Sequence, residues 1–265
     1  MMQHGTAQSD GFILQEATLM LGAVGGAKDL TVEENSIGLF KNLQVQETKT
    51  FTDLTQGVRQ SPVASALTEH RTMITGEGYE FTPRQLMYAM GQEGYLYQHS
   101  TPVGTTLSAA AVTGTDTITV TAATGFAVND YLIIQPSAGV DNGLAYQITA
   151  VATNTITLDR DLVEAFPAGS KVYKSVLIKS SDSFNDSCSG AVYMSAKIVS
   201  QKQNCEPIIL TAEKVRVSSG LSLSFGSSDF SNIPYELTLM ELTPRDTGYD
   251  DWIAAGGNQY EILTP

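Results

Sequence analysis

Between Ser36 and Gly94 lie two long stretches of alternating side chains, a polar segment between them and one capped helix after them, and this block constrains the fold more than any other part of the chain. From Ile37 to Glu47, an extended chain puts Leu39, Lys41, Leu43, Val45 and Glu47 on one face and Phe40, Asn42, Gln44 and Gln46 on the other. A period of two is that of a strand. Neither face is purely apolar, so one is expected to meet a core and the other to meet water or a neighbouring subunit, and burial fixes the register only in part. From Pro62 to Phe81 the chain is strand-like again, with Val63, Leu67, Met73, Ile74, Tyr79 and Phe81 as apolar points, and Gly76 and Gly78 read as a bend or bulge. Thr82-Pro83 then opens a helix, because a Thr hydroxyl caps free N–H groups and Pro is tolerated at the first helical position. Leu86, Met87, Ala89 and Met90 give that helix an apolar stripe suited to packing on a sheet, and Gly91 ends it.

The segment between the strands, Glu47 to Ser61, is rich in Thr, Asp, Gln and Gly. It is far longer than a hairpin turn of about two to five residues needs, so a long loop with a functional role is expected.

Thr, Ser, Gly and Val are abundant elsewhere too and long helical patterns are scarce, so a mainly β protein is expected. The 265 residues suffice for one large or two small domains with a core. Acidic residues outnumber basic ones by 28 to 15, a net charge of −13, whereas a protein that grips phosphates has the reverse balance. The acidity serves solubility, or gives a surface that nucleic acid passes without sticking. No apolar run reaches a membrane-spanning length, and the polar start MMQHGTAQSD lacks the regions of a signal peptide, so no membrane anchor and synthesis in a reducing cytoplasm are expected. Cys188 and Cys205 are then read as free thiols, with a bond formed after release into an oxidising medium as the alternative.

In chain order, residues 1–10 read as an arm and Phe12 to Val24 as a strand ending at Gly25-Gly26. The segment GAVGGAKD has Ala27 and Asp29 where a phosphate-binding loop needs Gly and a Ser or Thr, so it is a turn. Residues 101–175 change character and contain an internal echo, TDTITV at 115–120 and TNTITL at 153–158, each followed by a turn and another strand, YLII at 131–134 and KVYK at 171–174. Two similar hairpins would make a small β module, inserted between strand-like segments at 95–99 and 176–180 that continue the main sheet. Later strands are expected at Ala191 to Ser200, Ile208 to Ser218, Leu221 to Phe225 and Tyr235 to Leu242. The tail reads as an arm that docks, since Trp252, Ile253, Tyr260 and Ile262 each gain very roughly 1.5–3 kcal/mol on full burial.

Nothing in the sequence points to catalysis. His4, His70 and His99 have no metal-binding or triad spacing, and two cysteines alone cannot make a zinc site. The adjacent carboxylates Glu33-Glu34 and Asp250-Asp251 point apart in a strand and lack a nucleophile motif. Neither an enzyme nor a cofactor is expected.

The order of DLTVEENSIGLFKNLQV at 29–45, DLTQGVRQSPV at 53–63, TPRQLMYAMG at 82–91 and IPYELTLMELTPRD at 233–246 resembles that of the tail tube proteins of tailed bacteriophages. The resemblance implies a β-sandwich flanked by a helix, formed by 1–100 and 176–265 with 101–175 as an inserted exterior module. It implies rings, commonly of six, whose sheets join into a β-barrel around a channel and which stack through the long loop and the terminal arms. Glu47, Thr50, Phe51, Asp53, Leu54, Gln56 and Arg59 would belong to the inter-ring loop, and Trp252, Ile253, Tyr260 and Ile262 to the docking C-terminal arm. Glu47, Glu69, Arg71, Lys197 and Glu213 are candidates for the channel wall. The implied partners are other copies of the chain, further tail proteins (tape measure, terminator, baseplate or tip, sheath) and genomic DNA in transit, and the implied location is the virion. Two other classes share the composition: a virion decoration or adhesin β-sandwich that binds a capsid or host surface, and a carbohydrate-processing β enzyme with a carboxylate pair in a cleft.

Overall fold

The computed structural model describes residues 17–56, 61–96, 102–179, 192–202, 205–223 and 231–265. The chain divides into two compact units, Met1–Gln98 with Ser180–Pro265, and His99–Lys179. In chain order the first unit contributes β1 (Thr18–Gly22), α1 (Val32–Asn35), β2 (Phe40–Gln56), β3 (Ser61–Gly78) and α2 (Pro83–Ala89). The second contributes β4 (Gly104–Thr106), β5 (Thr117–Thr119), β6 (Tyr131–Gln135), β7 (Ala145–Ala152), β8 (Thr155–Leu158) and β9 (Lys171–Ser175). The first unit resumes with β10 (Tyr193–Gln201), β11 (Pro207–Val217), β12 (Ile233–Leu239), α3 (Tyr249–Ala254) and β13 (Glu261–Leu263).

The first unit is mainly β, built on one antiparallel sheet of order β1-β10-β11-β12-β3-β2, with β13 paired to β11. Alternation in β12 buries Ile233, Tyr235, Leu237 and Leu239, opposite Gly78, Gly76 and Ile74 of β3. These side chains share one core with Leu19 and Leu21 of β1, Met194, Ala196 and Ile198 of β10, and Leu210, Ala212 and Val215 of β11. The two halves of the sheet therefore close over a common interior, a β-sandwich-like arrangement. Helix α2 caps it. The Thr82 side chain accepts from the Gln85 N–H and the Gln85 side chain accepts from the Thr82 N–H, a reciprocal cap that fixes the start of the helix. Tyr88 Oη then donates to the Leu21 carbonyl at 3.1 Å, Tyr235 Oη donates to the Gln85 carbonyl at 2.8 Å, and Gln85 Nε2 donates to the Ile37 carbonyl.

Several expectations need correcting. Gly76 and Gly78 form no bulge: they stay in register opposite Tyr235 and Ile233. Gly76 is required because Phe40 lies across it, and a Cβ there would sit 2.1 Å from Phe40 Cε1. The bulge lies in β2 instead, between Lys41 and Gln44, where Asn42 has φ 55°. It switches the parity of the strand, so that Phe40 and Val45 share the inner face across from Gly78 and Ile74. Residues 94–96 are a short 3-10 helix and residues 176–179 have no regular structure, so neither extends the sheet, while 97–101 and 180 lie outside the described residues. Leu221 to Leu223 form no strand, and the rest of that expected element, Ser224 and Phe225, lies outside the described residues, as do Arg59 and Cys188. Cys205 is an exposed free cysteine in the β10–β11 turn.

The second unit is a six-stranded antiparallel assembly of order β4-β9-β6-β7-β8-β5 around Leu107, Ile118, Leu132, Ile134, Tyr146, Ile148, Ile156, Phe166 and Val172. The echoed segments do not fold back as two separate hairpins. They pair with each other, Ile118 opposite Ile156 in β5–β8 and Ile134 opposite Val172 in β6–β9.

Candidate functional site

The feature of the first unit that its own core does not explain is the β2–β3 hairpin, with strands of 17 and 18 residues. At roughly 3.3 Å per residue each strand spans about 55 Å. Here the expected loop at 47–61 is corrected: Glu47 to Gln56 continue β2 as strand, paired residue by residue with β3. Thr at 48, 50, 52 and 55 is a β-branched choice that suits a strand whose faces are both in water. Strand β12 pairs with β3 from Met73 to Gly78 only, so from Thr72 outward the hairpin has two strands. On this outer part Phe51 is 57% exposed, Leu54 66% and Leu67 51%. Phe51 stands opposite Leu67, and Leu54 stands opposite the exposed Ala64. Thr50 and Asp53 are held by local bonds, the Thr50 carbonyl accepting from Thr68 Oγ1 at 3.0 Å and Asp53 accepting from Ser65 Oγ. Among the described residues, β3 is the sole strand neighbour of β2, so the outer edge of β2 presents unpaired N–H and C=O groups along its length.

A polar cluster marks the root of this arm. Glu47 Oε1 lies 2.6 Å from Lys49 Nζ and 2.7 Å from His70 Nε2, and Tyr260 Oη donates to Glu47 Oε2 at 2.8 Å. Hydrogen bonds from Lys49, Tyr260 and His70 hold the Glu47 carboxyl down at about 2. Beside it Thr72 Oγ1 donates to Gln259 Oε1 at 2.9 Å. Two residues that the sequence places in different roles, Glu47 and Tyr260, thus meet, and the C-terminal segment grips the hairpin where it leaves the sheet. That segment is held further by β13 on β11, by Trp252 Nε1 donating to the Asn258 carbonyl at 2.6 Å, and by Lys202 Nζ donating to the Pro265 carbonyl at 3.1 Å. Ile253 and Ile262 remain exposed, so the docking rests on backbone pairing and Tyr260 rather than on those two side chains.

The outer face of β3, opposite the core, carries Glu69, Arg71, Met73, Thr75 and Glu77, continued by Glu236 of β12 and Arg216 of β11. Arg71 Nη2 lies 3.7 Å from Glu236 Oε1. Glu77 accepts from Tyr79 Oη at 2.8 Å and from Asn42 Nδ2 at 3.2 Å, and hydrogen bonds from Tyr79, Asn232 and Asn42, in that order, draw its carboxyl below the usual range. Of the five candidates for a channel wall, Glu69 and Arg71 share this face. Glu47 does not, since its strand partner is the inward-facing Thr72. Lys197 and Glu213 are engaged elsewhere: Lys197 Nζ donates to the Lys28 and Leu30 carbonyls at 3.0 Å each, and Glu213 accepts from the Ala27 N–H at 3.0 Å. Together they pin the turn after β1 onto β10 and β11. Lys214 has no counterpart in the sequence reading. It is buried, paired with Asp246 at 2.7 Å and 4.4 Å from the Tyr193 ring centre, and its position in a strand of mixed character gave no signal.

An apolar groove of about 630 Å³ opens between β2 and the β10–β11 pair. Phe40, Leu43 and Val45 form one wall, Ile198, Ile208 and Leu210 the other, and Ala17 and Ile262 border it. Among the described residues no cluster of His, Cys, Asp and Glu could hold a metal ion, and no helix is long and apolar enough to cross a membrane. No protein-family model and no curated protein matches the chain.

Proposed function

We propose that this chain is a structural subunit that assembles with copies of itself into stacked rings, forming the tail tube through which a bacteriophage delivers its DNA. The observation that carries the reading is the hairpin: a two-stranded arm in water is marginal by itself, and this one exposes Phe51, Leu54 and Leu67 beyond the reach of its own core. A neighbouring ring supplies the missing layer. The free edge of β2 supports ring formation, because pairing it with the next subunit removes the edge and lets six sheets close into a barrel. The face with Glu69, Glu77 and Glu236 against Arg71 and Arg216 suits the channel wall. DNA carries one phosphate charge per about 1.7 Å of its axis, so a basic wall would hold it at many points, and a mixed wall with an acidic excess lets it slide. Further tail proteins meet the ends of the tube, and the second unit, which has its own core, stands on the tube exterior.

Electron microscopy of the purified protein tests the reading. Long hollow tubes are expected; discrete particles of one or a few copies at all concentrations overturn it and favour a decoration or adhesin protein.

A further inference from the structure

We infer that the apolar groove is the seat of the chain's own N-terminal segment, with Phe12, Ile13 and Leu14 as the side chains that fill it. The groove is a gap in the sandwich rather than a surface dimple. Its walls, Phe40 with Leu43 and Val45 on β2, and Ile198 with Ile208 and Leu210 on β10 and β11, are the inner faces of strands that elsewhere enclose the core. Its volume of about 630 Å³ accepts several large side chains, and its rim leaves Val45 and Ile262 exposed.

The position of Ala17 selects the occupant. Ala17 borders the groove, and 16 residues precede it in the sequence. Thr18 pairs with Val199 and β10 ends at Gln201, so β10 offers at most two further ladder positions, Ser200 and Gln201, to the chain upstream of Thr18. Because Ala17 borders the groove, the chain that precedes it starts from the mouth of the groove. The next residues, Gly11-Phe12-Ile13-Leu14-Gln15, hold the only run of three large apolar side chains before Thr18. Phe12 is five residues from Ala17, and an extended chain covers at most about 3.3–3.6 Å per residue, so the run reaches no further than about 18 Å. Tethering at so short a range gives these side chains an effective concentration of order millimolar, far above any free competitor. The competing occupant from a second copy is the hairpin tip with Phe51, Leu54 and Leu67, which must be recruited from solution.

Disulfide trapping tests this. In a Cys188→Ser, Cys205→Ser background, kept dilute enough to remain unassembled, Ile13→Cys combined with Ile208→Cys should oxidise rapidly within one chain, giving a monomer that has lost two thiols by mass. Leu54→Cys with Ile208→Cys is the parallel probe and should stay reduced. Crosslinking of Leu54→Cys with Ile208→Cys into dimers, or of Ile13→Cys only between chains, assigns the groove to a second copy and overturns the inference. Absence of any crosslink overturns it as well. A second measurement needs no new cysteine: Phe12→Ser, Ile13→Ser, Leu14→Ser should leave the circular dichroism unchanged and raise the fluorescence of an added apolar dye several-fold. Equal dye binding by the parent and the triple variant would mean that the groove is open in both, and the inference fails. The outcome does not depend on whether the protein makes tubes.

Discussion

Replacing Phe51, Leu54 and Leu67 together by Ser separates assembly from folding. Fully burying a large apolar side chain stabilises by about 1.5–3 kcal/mol. These three keep between 51 and 66% of their surface in the single subunit, so more than half of that gain is still available for a neighbour. In the proposed assembly the three together would contribute about 3 kcal/mol to each subunit contact, and at 1.4 kcal/mol per decade that is about a hundredfold in association constant. The part of these side chains that is already covered lies in the two-stranded arm and outside the core, so the melting temperature of the dissociated subunit should fall by only a few degrees, at about 2–4 °C per kcal/mol. The assay is the critical concentration for tube formation, read by sedimentation across a dilution series and checked by microscopy. It should rise by about two orders of magnitude while circular dichroism stays unchanged. A critical concentration within about twofold of the parent refutes the reasoning. So does a large drop in melting temperature, which would place the three side chains in the subunit core instead of at a contact.

Three further outcomes are expected. Glu47 has its folded pKa drawn down to about 2 from an ordinary value of 4.5, so its bonds to Lys49, Tyr260 and His70 stabilise the fold fully above about 4.5 and lose that effect as pH falls toward 2. Melting temperature against pH should therefore fall less steeply over that window in Glu47→Gln than in the parent, and identical slopes would count against the cluster. Gly76→Ala puts a methyl group 2.1 Å from Phe40 Cε1 and should destabilise by about 1–3 kcal/mol in denaturant melts, with a smaller loss in a Phe40→Leu background that leaves room for it. Replacing Thr101 to Ser175 by a short Gly-Ser linker should leave a cooperatively folded first unit and tubes of unchanged bore. The insert allows it because Gly104 pairs with Tyr173 and the Lys174 N–H donates to the Val103 carbonyl at 2.9 Å, so the chain enters and leaves the module at neighbouring points; loss of soluble protein would show that the module belongs to the core fold.

What could be read from the sequence depended on whether a segment faces a core of its own. β12 alternates cleanly because one of its faces is buried, and α2 announces itself by Thr82, Pro83 and Gln85. Glu47 to Gln56 gave the opposite impression. With both faces in water there is no apolar stripe, and a strand of Thr, Lys, Asp and Gln looks like a loop. The run from Leu221 to Phe225 misled in the other direction: its alternation is that of a strand, yet Leu221 and Leu223 are exposed and have no ladder. The Asn42 bulge is invisible to a period-two reading, which for that reason assigned Phe40 and Val45 to opposite faces. The meeting of Glu47 with Tyr260 joins residues 213 apart, and no local pattern encodes it.

The hairpin also bears on how such a subunit avoids indiscriminate association. A flat apolar edge of 17 residues would pair with any strand it met, in any register. Three irregularities interrupt its ladder, at Lys41/Gln44 by an extra residue in β2 and at Thr50/Phe51 and Leu54/Thr55 by an extra residue in β3, and each increases the local twist of the ribbon. Lys41, Lys49 and Asp53 along β2 add charges that oppose an unmatched partner. The exposed apolar side chains are divided as well, since alternation puts Phe51 and Leu67 on one side of the ribbon and Leu54 with Ala64 on the other. A partner must therefore match the bends, the charges and two separate apolar points at once. In the proposed assembly a rigid copy of the same subunit, presented in one orientation by a ring, would meet that requirement, whereas an unfolded or misregistered strand would not. On that proposal the arm would stay long and exposed in the free subunit and turn adhesive only toward a correctly placed neighbour.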